Sequence, residues 1–357
     1  MKRVDDLWPQ LVSFENLHCA AYQVLRGKRG QPRAGEFFKD LEGELLRLQD
    51  ALSSETWQPG PYRTFWISDP KPRLISAAPL RDRVVHHALV NVIEPAFERR
   101  FIHHSYACRR GKGTHQALEQ FARWGRSSRY VLKMDIRKFF PSMDHEILKE
   151  RIERVVRDPE VLRLCDLVID GSNEQEPVRD YFPGDDLFTP HLRPHGIPIG
   201  NLTSQFFGNV YLDSLDHFVK ERLRVKRYLR YVDDFCCFDD DKGWLKEVRV
   251  AVREHLGALR MKLNEGKSRI RQLREGVEFL GFVHLPGTTR LNQRAVRRQR
   301  RRMKTLRRAY AEGAMGWDEV SASLQSWNAH AAHGDTWRLR RRVFGEAVFS
   351  YPQPRDS

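Results

Sequence analysis

The sequence predicts an α+β fold, an antiparallel sheet backed by helices, and three observations carry that reading. An apolar strand, YVLKMD within residues 129–135, ends on a carboxylate. Two short apolar runs, 228–231 and 235–238, flank VDD and read as the strands of one hairpin. Helical periodicity occupies 204–215 and 244–259, so the order is strand, helix, hairpin, helix.

The remaining elements follow along the chain. From residue 7 to about residue 52 apolar residues recur at helical spacing, among them Phe37, Phe38, Leu41, Leu45, Leu46 and Leu48. A basic, Gly-rich loop is expected to interrupt them at 26–35. Pro59, Gly60 and Pro61 punctuate the chain, after which 62–68 is expected as a strand, 69–72 as its turn and 73–77 as a second strand. Val84, Val85, Ala88, Leu89, Val92 and Ile93 form one helical face, and Pro95 is expected to end that helix. Residues 171–194 are rich in Gly, Pro, Asp and Asn and predict a long surface connection. Beyond Pro286 the composition turns to Arg-rich helix.

Composition narrows the function. With 357 residues, 40% of them hydrophobic, the chain can bury a sizeable core, and disorder is not expected. Lys and Arg number 62 against 47 Asp and Glu, a formal charge of +15 that calls for a polyanionic partner, nucleic acid before a membrane surface. No apolar run approaches the about 20 residues of a bilayer span. The start MKRVDDLWPQ lacks the apolar middle of a signal peptide, so a cytoplasmic location is expected. Cys19, Cys108, Cys165, Cys236 and Cys237 are odd in number and form no CxxC spacing, and they read as small buried hydrophobes. Cys236 and Cys237, adjacent in a strand, should point to opposite faces.

The segment YVDDF, residues 231–235, carries the chemistry. Adjacent carboxylates between apolar residues repel unless something positive lies between them. Mg²⁺ takes carboxylate, phosphate and water oxygens, and two such ions roughly 3.5–4 Å apart can hold both the attacking and the leaving oxygen of a phosphoryl transfer. Asp233 and Asp234 are the candidate ligands, and Asp135 supplies a third carboxylate from another strand. A bare pair of aspartates would read as a hairpin turn, with Asp135 capping the next helix. The order of the segments, the residues around each aspartate and the Gly-rich segment between them favour the metal reading.

From about residue 62 to residue 337 the chain resembles a reverse transcriptase, with its blocks in family order. KPRLISAAPLRDRVVHHAL resembles the fingers motifs, MDIRKFFPSMD the first catalytic motif and GIPIGNLTSQFFGNVYL the template-and-nucleotide motif. YVDDF resembles the second catalytic motif, LNEGKSRI the motif after the catalytic hairpin and VEFLGFVH the primer grip. The resemblance implies a right-hand polymerase fold with a helical N-terminal extension at 1–60 and fingers at 61–128. The palm would span 129–285, with a fingers-like insertion around 147–198, and a basic helical thumb 286–357. It implies an RNA-directed DNA polymerase that uses deoxynucleoside triphosphates, a template RNA and an RNA–DNA duplex, with two Mg²⁺ ions, or Mn²⁺ in their place, on Asp135, Asp233 and Asp234.

The same resemblance assigns Arg73 and Lys71 to the triphosphate and Phe140 to a steric gate beneath the sugar, one of Phe139 and Phe140 being core. Lys267 matches a lysine that protonates the pyrophosphate leaving group; a solvated surface lysine is the alternative. Arg81 and Arg83 read equally as partners of Asp82. Ile199, Gly200 and Gln205 fall in the nucleotide-binding motif.

That motif departs from the pattern QGxxxSP, since Ile199 stands in the glutamine position and Gln205 in the proline position. IGxxxSQ resembles the reverse transcriptases of diversity-generating retroelements, and the likeness extends to SYACRRGKGTHQAL and SWNAHAAHGDTWRL. The resemblance implies errors concentrated at template adenines, a structured RNA from the same element and a small, basic, oligomeric accessory protein. An isoleucine cannot hydrogen-bond the nascent pair, so fidelity is expected to suffer, unless Ile199 only fills an apolar contact. A reverse transcriptase that defends against phage is a second reading, and a non-catalytic RNA-binding scaffold a third, which the clustered carboxylates disfavour. With no residues left for RNase H, endonuclease or integrase, those activities are expected from other proteins.

The segment RAVRRQRRRMKTLRRAY, 294–310, predicts a thumb helix that packs by Val296, Met303 and Leu306. Arg297, Arg300, Arg301, Lys304 and Arg308 would track phosphates, a solvated basic face being the alternative. Trp327, Trp337, His330 and His333 are expected in the thumb core, with stacking on bases as the alternative.

Overall fold

A computed structural model describes residues 3–26, 32–68, 72–173, 175–345 and 348–350. Strands β1 (Arg63–Ile67) and β2 (Arg73–Ala77) form an antiparallel pair. Strands β3 (Tyr130–Asp135), β4 (Arg227–Tyr231), β5 (Asp234–Asp239) and β6 (Arg269–Gln272) form an antiparallel sheet in the order β4-β5-β3-β6. Strands β7 (Val277–Phe279), β8 (Phe282–Leu285) and β9 (Thr288–Leu291) make a third antiparallel sheet. The α+β expectation holds.

The four-stranded sheet is covered on both faces, and the period-2 alternation of its strands decides which residue enters which core. Leu132, Met134, Phe235 and Cys237 join one core, with Leu245, Val248, Val252 and Leu256 of helix Lys242–Ala258. Val131, Cys236 and Phe238 join the other, beside Phe121 of helix Thr114–Arg126 and Phe279 of β7. Cys236 and Cys237 thus lie on opposite faces, as their adjacency requires. Phe121 stacks on Phe279 at 4.8 Å and meets Phe238 edge-on at 4.9 Å, which fastens the third sheet to the second.

The N-terminal helices Phe14–Leu25 and Leu41–Ser53 add Leu17, Ala20, Val24, Leu45 and Leu48 to the first core, against Val84, Val85 and Leu89 of helix Leu80–Glu98. The Ser13 hydroxyl caps the first of these by accepting from Asn16 N.

Several expectations need correction. Pro95 does not end its helix, which runs Leu80–Glu98. Proline there forfeits one hydrogen bond in the last turn, while the turn still buries Phe97, edge-on to Phe206 at 5.3 Å. The loop expected at 26–35 gives way to helix from Pro32, in Pro32–Lys39, and residues 27–31 lie outside the described residues. The turn expected at 69–72 is described only at Pro72. Strand β1 has no buried face at all. The connection at 171–194 is more than surface loop, because it contains helix Thr189–Leu192 and buries Arg193 against Asp185 and Asp144. Cys19 and Cys108 are exposed, whereas Cys165, Cys236 and Cys237 are buried. Trp337 is 61% exposed and His333 is exposed, so neither is thumb core; Trp327 and His330 are half-buried.

Candidate active site

Asp135, the last residue of β3, sits directly opposite Asp234, the first of β5. Asp234 also pairs with Tyr231, so β4 and β5 are joined by Val232 and Asp233 alone. Val232 has φ +55° while Asp233 stays at negative φ, the φ pattern of a type II′ loop, whose first position usually holds glycine. A β-branched residue there costs of order 1–3 kcal/mol and persists only when its surroundings hold it. They do so here. Arg230 Nη1 donates to the Val232 carbonyl at 3.2 Å, and Ile136 N donates to the Asp233 carbonyl at 3.3 Å. Arg230 is itself fully buried and fixed by Asp216, with Nη2 to Oδ2 at 2.6 Å and Nε to Oδ1 at 2.8 Å. The Asp216 carboxylate also accepts from Tyr228 Oη at 2.7 Å, and Asn209 Oδ1 accepts from Arg230 Nη1 at 3.0 Å.

Three carboxylates therefore converge at the ends of two neighbouring strands. Burial, then the charges of Asp234 and Asp135, push the Asp233 carboxyl up to about 6. Burial also raises Asp234, against the opposing pull of Lys133, whose Nζ lies 3.6 Å from its Oδ1. Lys267 Nζ stands 2.6 Å from both oxygens of Asp135. Among the described residues no three His, Cys, Asp or Glu side chains stand arranged to hold a metal ion, and the Lys267 ammonium occupies the Asp135 oxygens a cation would take. The donor chemistry nonetheless fits Mg²⁺ or Mn²⁺: every donor is a carboxylate oxygen, and a divalent cation would offset both causes that raise Asp233, the burial of its charge and the repulsion from Asp234 and Asp135.

These groups open into a cleft of about 830 Å³ that Arg73, Phe140, Ile199 and Lys267 line together with the three aspartates. Phe139 is 3% exposed and Phe140 half-buried, their rings 5.0 Å apart, so Phe139 is the core member of the pair. The loop that carries Ile199 is fastened on both sides. Ile197 N donates to the Phe140 carbonyl at 2.9 Å, Ser76 N of β2 donates to the Ile199 carbonyl at 2.9 Å, and Asn201 Nδ2 donates to the Ser76 carbonyl at 3.0 Å. Gly200 has φ +124°, and a Cβ there would come within 2.8 Å of Ile75 Cγ2, so only glycine lets the loop lie this close to β2.

Not every expected residue reaches the cleft. Lys71 lies outside the described residues. Gln205 is exposed at the start of helix Leu202–His217 and does not line it. Arg297, Arg300, Arg301, Lys304 and Arg308 are exposed on helix Gln293–Ala311, apart from the cleft lining, and Arg308 is engaged with Glu312 at 2.7 Å. Asp82 takes the Gly60 amide at 2.7 Å, while Arg83 donates to the Ala78 carbonyl and Arg81 to that of Arg47.

Sequence reasoning missed Arg230 and Lys133. The signal for Arg230 was its place in RYLRY, two residues from Tyr228 on the inward face, where an arginine requires a buried acid.

Residues 68–284 match the family described as reverse transcriptase (RNA-dependent DNA polymerase). The chain is 26% identical over 281 residues to protein YkfC of Escherichia coli, covering 68% of this chain and 71% of that protein. It is 22% identical over 235 residues to the group II intron-encoded protein LtrA of Lactococcus lactis, covering 63% of this chain and 37% of LtrA. The solved structure of apo telomerase from Candida tropicalis aligns at TM-score 0.49 and 13% identity over 66% of this chain and 49% of that one.

Proposed function

The chain belongs to the reverse transcriptase family, an RNA-directed DNA polymerase, and from that premise we propose that the Asp135–Asp233–Asp234 cleft extends a DNA strand on an RNA template. The observation that carries this reading is the register of Asp135 against Asp234, with Asp233 in the two-residue loop beside them.

Asp135, Asp233 and Asp234 would hold the divalent cations, with Asp135 and Asp233 the ligands of both. When bound, such ions activate the attacking hydroxyl and stabilise charge on the phosphoryl and leaving oxygens. Arg73 neutralises the triphosphate as negative charge develops. Lys267 leaves Asp135 for the pyrophosphate and gives it a proton. Phe140, which lines the cleft, is on this reading the steric gate whose ring excludes a ribose 2′-hydroxyl. On this reading residues 1–60 are a helical extension and 61–128 the fingers. Residues 129–285 are the palm, with an insertion around 147–198, and 286–357 the thumb, whose Arg297, Arg300, Arg301, Lys304 and Arg308 follow phosphates.

The finer role we assign is error-prone copying of the diversity-generating kind. Ile199 lines the cleft through an apolar side chain that can give the nascent base pair no hydrogen bond. The partners of that role are a structured RNA from the same element and a small, basic, oligomeric accessory protein. Sequencing the RNA that copurifies from the native host tests it. A discrete RNA containing a repeat copied in variant form supports diversification; a cDNA made only during phage infection would move the protein to the defence reading.

A further inference from the structure

Helices Gln293–Ala311 and Trp317–Ala331 enclose a second groove, of about 650 Å³, that shares no lining residue with the aspartate cleft. Arg298, Arg301, Arg302 and Thr305 recur at helical spacing along one wall, and Ser323, Ser326, Trp327 and His330 along the other. No acidic side chain lines it among the described residues. Arg302 Nε reaches across to Ser323 Oγ at 3.1 Å and ties the walls together.

Gln299 is what a packing groove would not contain. It occupies the buried stripe Gln299, Met303, Leu306 of its helix and is 5% exposed, yet among the described residues its amide Nε2 finds no hydrogen-bond partner. A buried, unpaired amide costs about 1–3 kcal/mol, and an apolar side chain in that stripe would avoid it. Opposite stands Trp327, half-buried with its ring edge-on to Phe344 at 5.7 Å.

We propose that this groove binds an unpaired nucleotide of single-stranded RNA, the base against Trp327 and the Gln299 amide, and the phosphates on Arg298 and Arg301. The volume suits one nucleotide-sized ligand. A lining whose charged side chains among the described residues are all arginines selects a polyanion, the indole gives a base a face to stack on, and an amide can both donate to and accept from a base edge. A regular duplex keeps its bases stacked inward and cannot fill a slot between two helices. The site lies beyond the polymerase cleft and would tether the template, or the structured part of its RNA, while the cleft works elsewhere on the strand.

The test uses the full chain in EDTA, so that it is independent of catalysis. Fluorescence anisotropy compares a short labelled single-stranded RNA with an RNA–DNA duplex, for the wild type, Gln299→Met and Trp327→Leu. Each variant should bind single-stranded RNA about tenfold more weakly and the duplex unchanged. Gln299→Met should also melt at a higher temperature than the wild type, because methionine fills the same space without an unpaired amide; if Trp327→Leu fails to fold, this variant alone decides. Unchanged affinity for single-stranded RNA, or equal weakening of both ligands, overturns the proposal.

Discussion

Arg230 and Asp216, both fully buried, pair at 2.6 Å, and the same guanidinium holds the carbonyl of Val232, the strained residue immediately before Asp233. The carboxylate loop is thus anchored from inside the protein. Arg230→Met leaves the Asp216 charge buried with no cation to neutralise it and only the Tyr228 hydroxyl to donate to it, and should destabilise the fold by about 3–5 kcal/mol in urea denaturation. Adding Asp216→Leu should restore much of that stability and little of the primer extension, because the loop still lacks its anchor. Full recovery of both would show that Arg230 serves the core alone.

The pH dependence of stability has a definite sign. Folding raises the Asp233 carboxyl to about 6 from an unfolded value of 3.8, so between those pH values the folded chain binds more protons than the unfolded one. In EDTA, stability contributed by this protonation is fully present below the unfolded pKa and is lost as pH rises toward 6. Asp233→Asn should flatten that slope and raise the melting temperature at pH 7, by roughly 2–4 °C per kcal/mol regained. Scanning calorimetry with and without Mg²⁺ checks this, since added cation should stabilise the wild type at pH 7 far more than the variant.

Arg297, Arg300 and Lys304 stand exposed along one side of helix Gln293–Ala311. Replacing all three with Gln should weaken primer–template binding and reduce the slope of log K against log salt by roughly 0.7–0.9 for each phosphate that is no longer neutralised. A titration at several salt concentrations measures the slope. An unchanged slope would place this face in solvent.

Ile199→Gln puts a polar side chain at the cleft wall and should lower misincorporation, chiefly opposite template adenine. A gain of about 1.4 kcal/mol in discrimination corresponds to tenfold fewer errors. Deep sequencing of cDNA from both proteins on one template gives the answer. An unchanged error spectrum with synthesis retained would make Ile199 a packing residue.

The sheet and its carboxylates were legible in the sequence because they rest on local pattern. Alternation in YVLKMD and around YVDDF fixes which side chains share a face, and the hairpin leaves Asp233 no place but the loop. What was illegible depends on distant partners. Burial of Phe97 carries its helix through Pro95, the pairing of Arg193 with Asp185 and Asp144 pins a connection that looked loose, and Arg230 finds Asp216 fourteen residues away. Trp337 looked like core by composition, yet its place at the start of helix Trp337–Gly345 leaves it exposed.

On the function proposed above, Asp135, Asp233 and Asp234 hold the ions of a polymerase site. Asp135→Asn and Asp233→Asn keep the shape of each side chain and remove its charge, and amide oxygens ligate Mg²⁺ poorly. Single-turnover primer extension on an RNA template, with duplex binding measured in parallel, is the most direct test. Synthesis should fall by at least about a hundredfold in each variant, more than about 2.7 kcal/mol of transition-state stabilisation, while duplex affinity stays within about twofold. Wild-type extension rates in either variant would contradict the assignment.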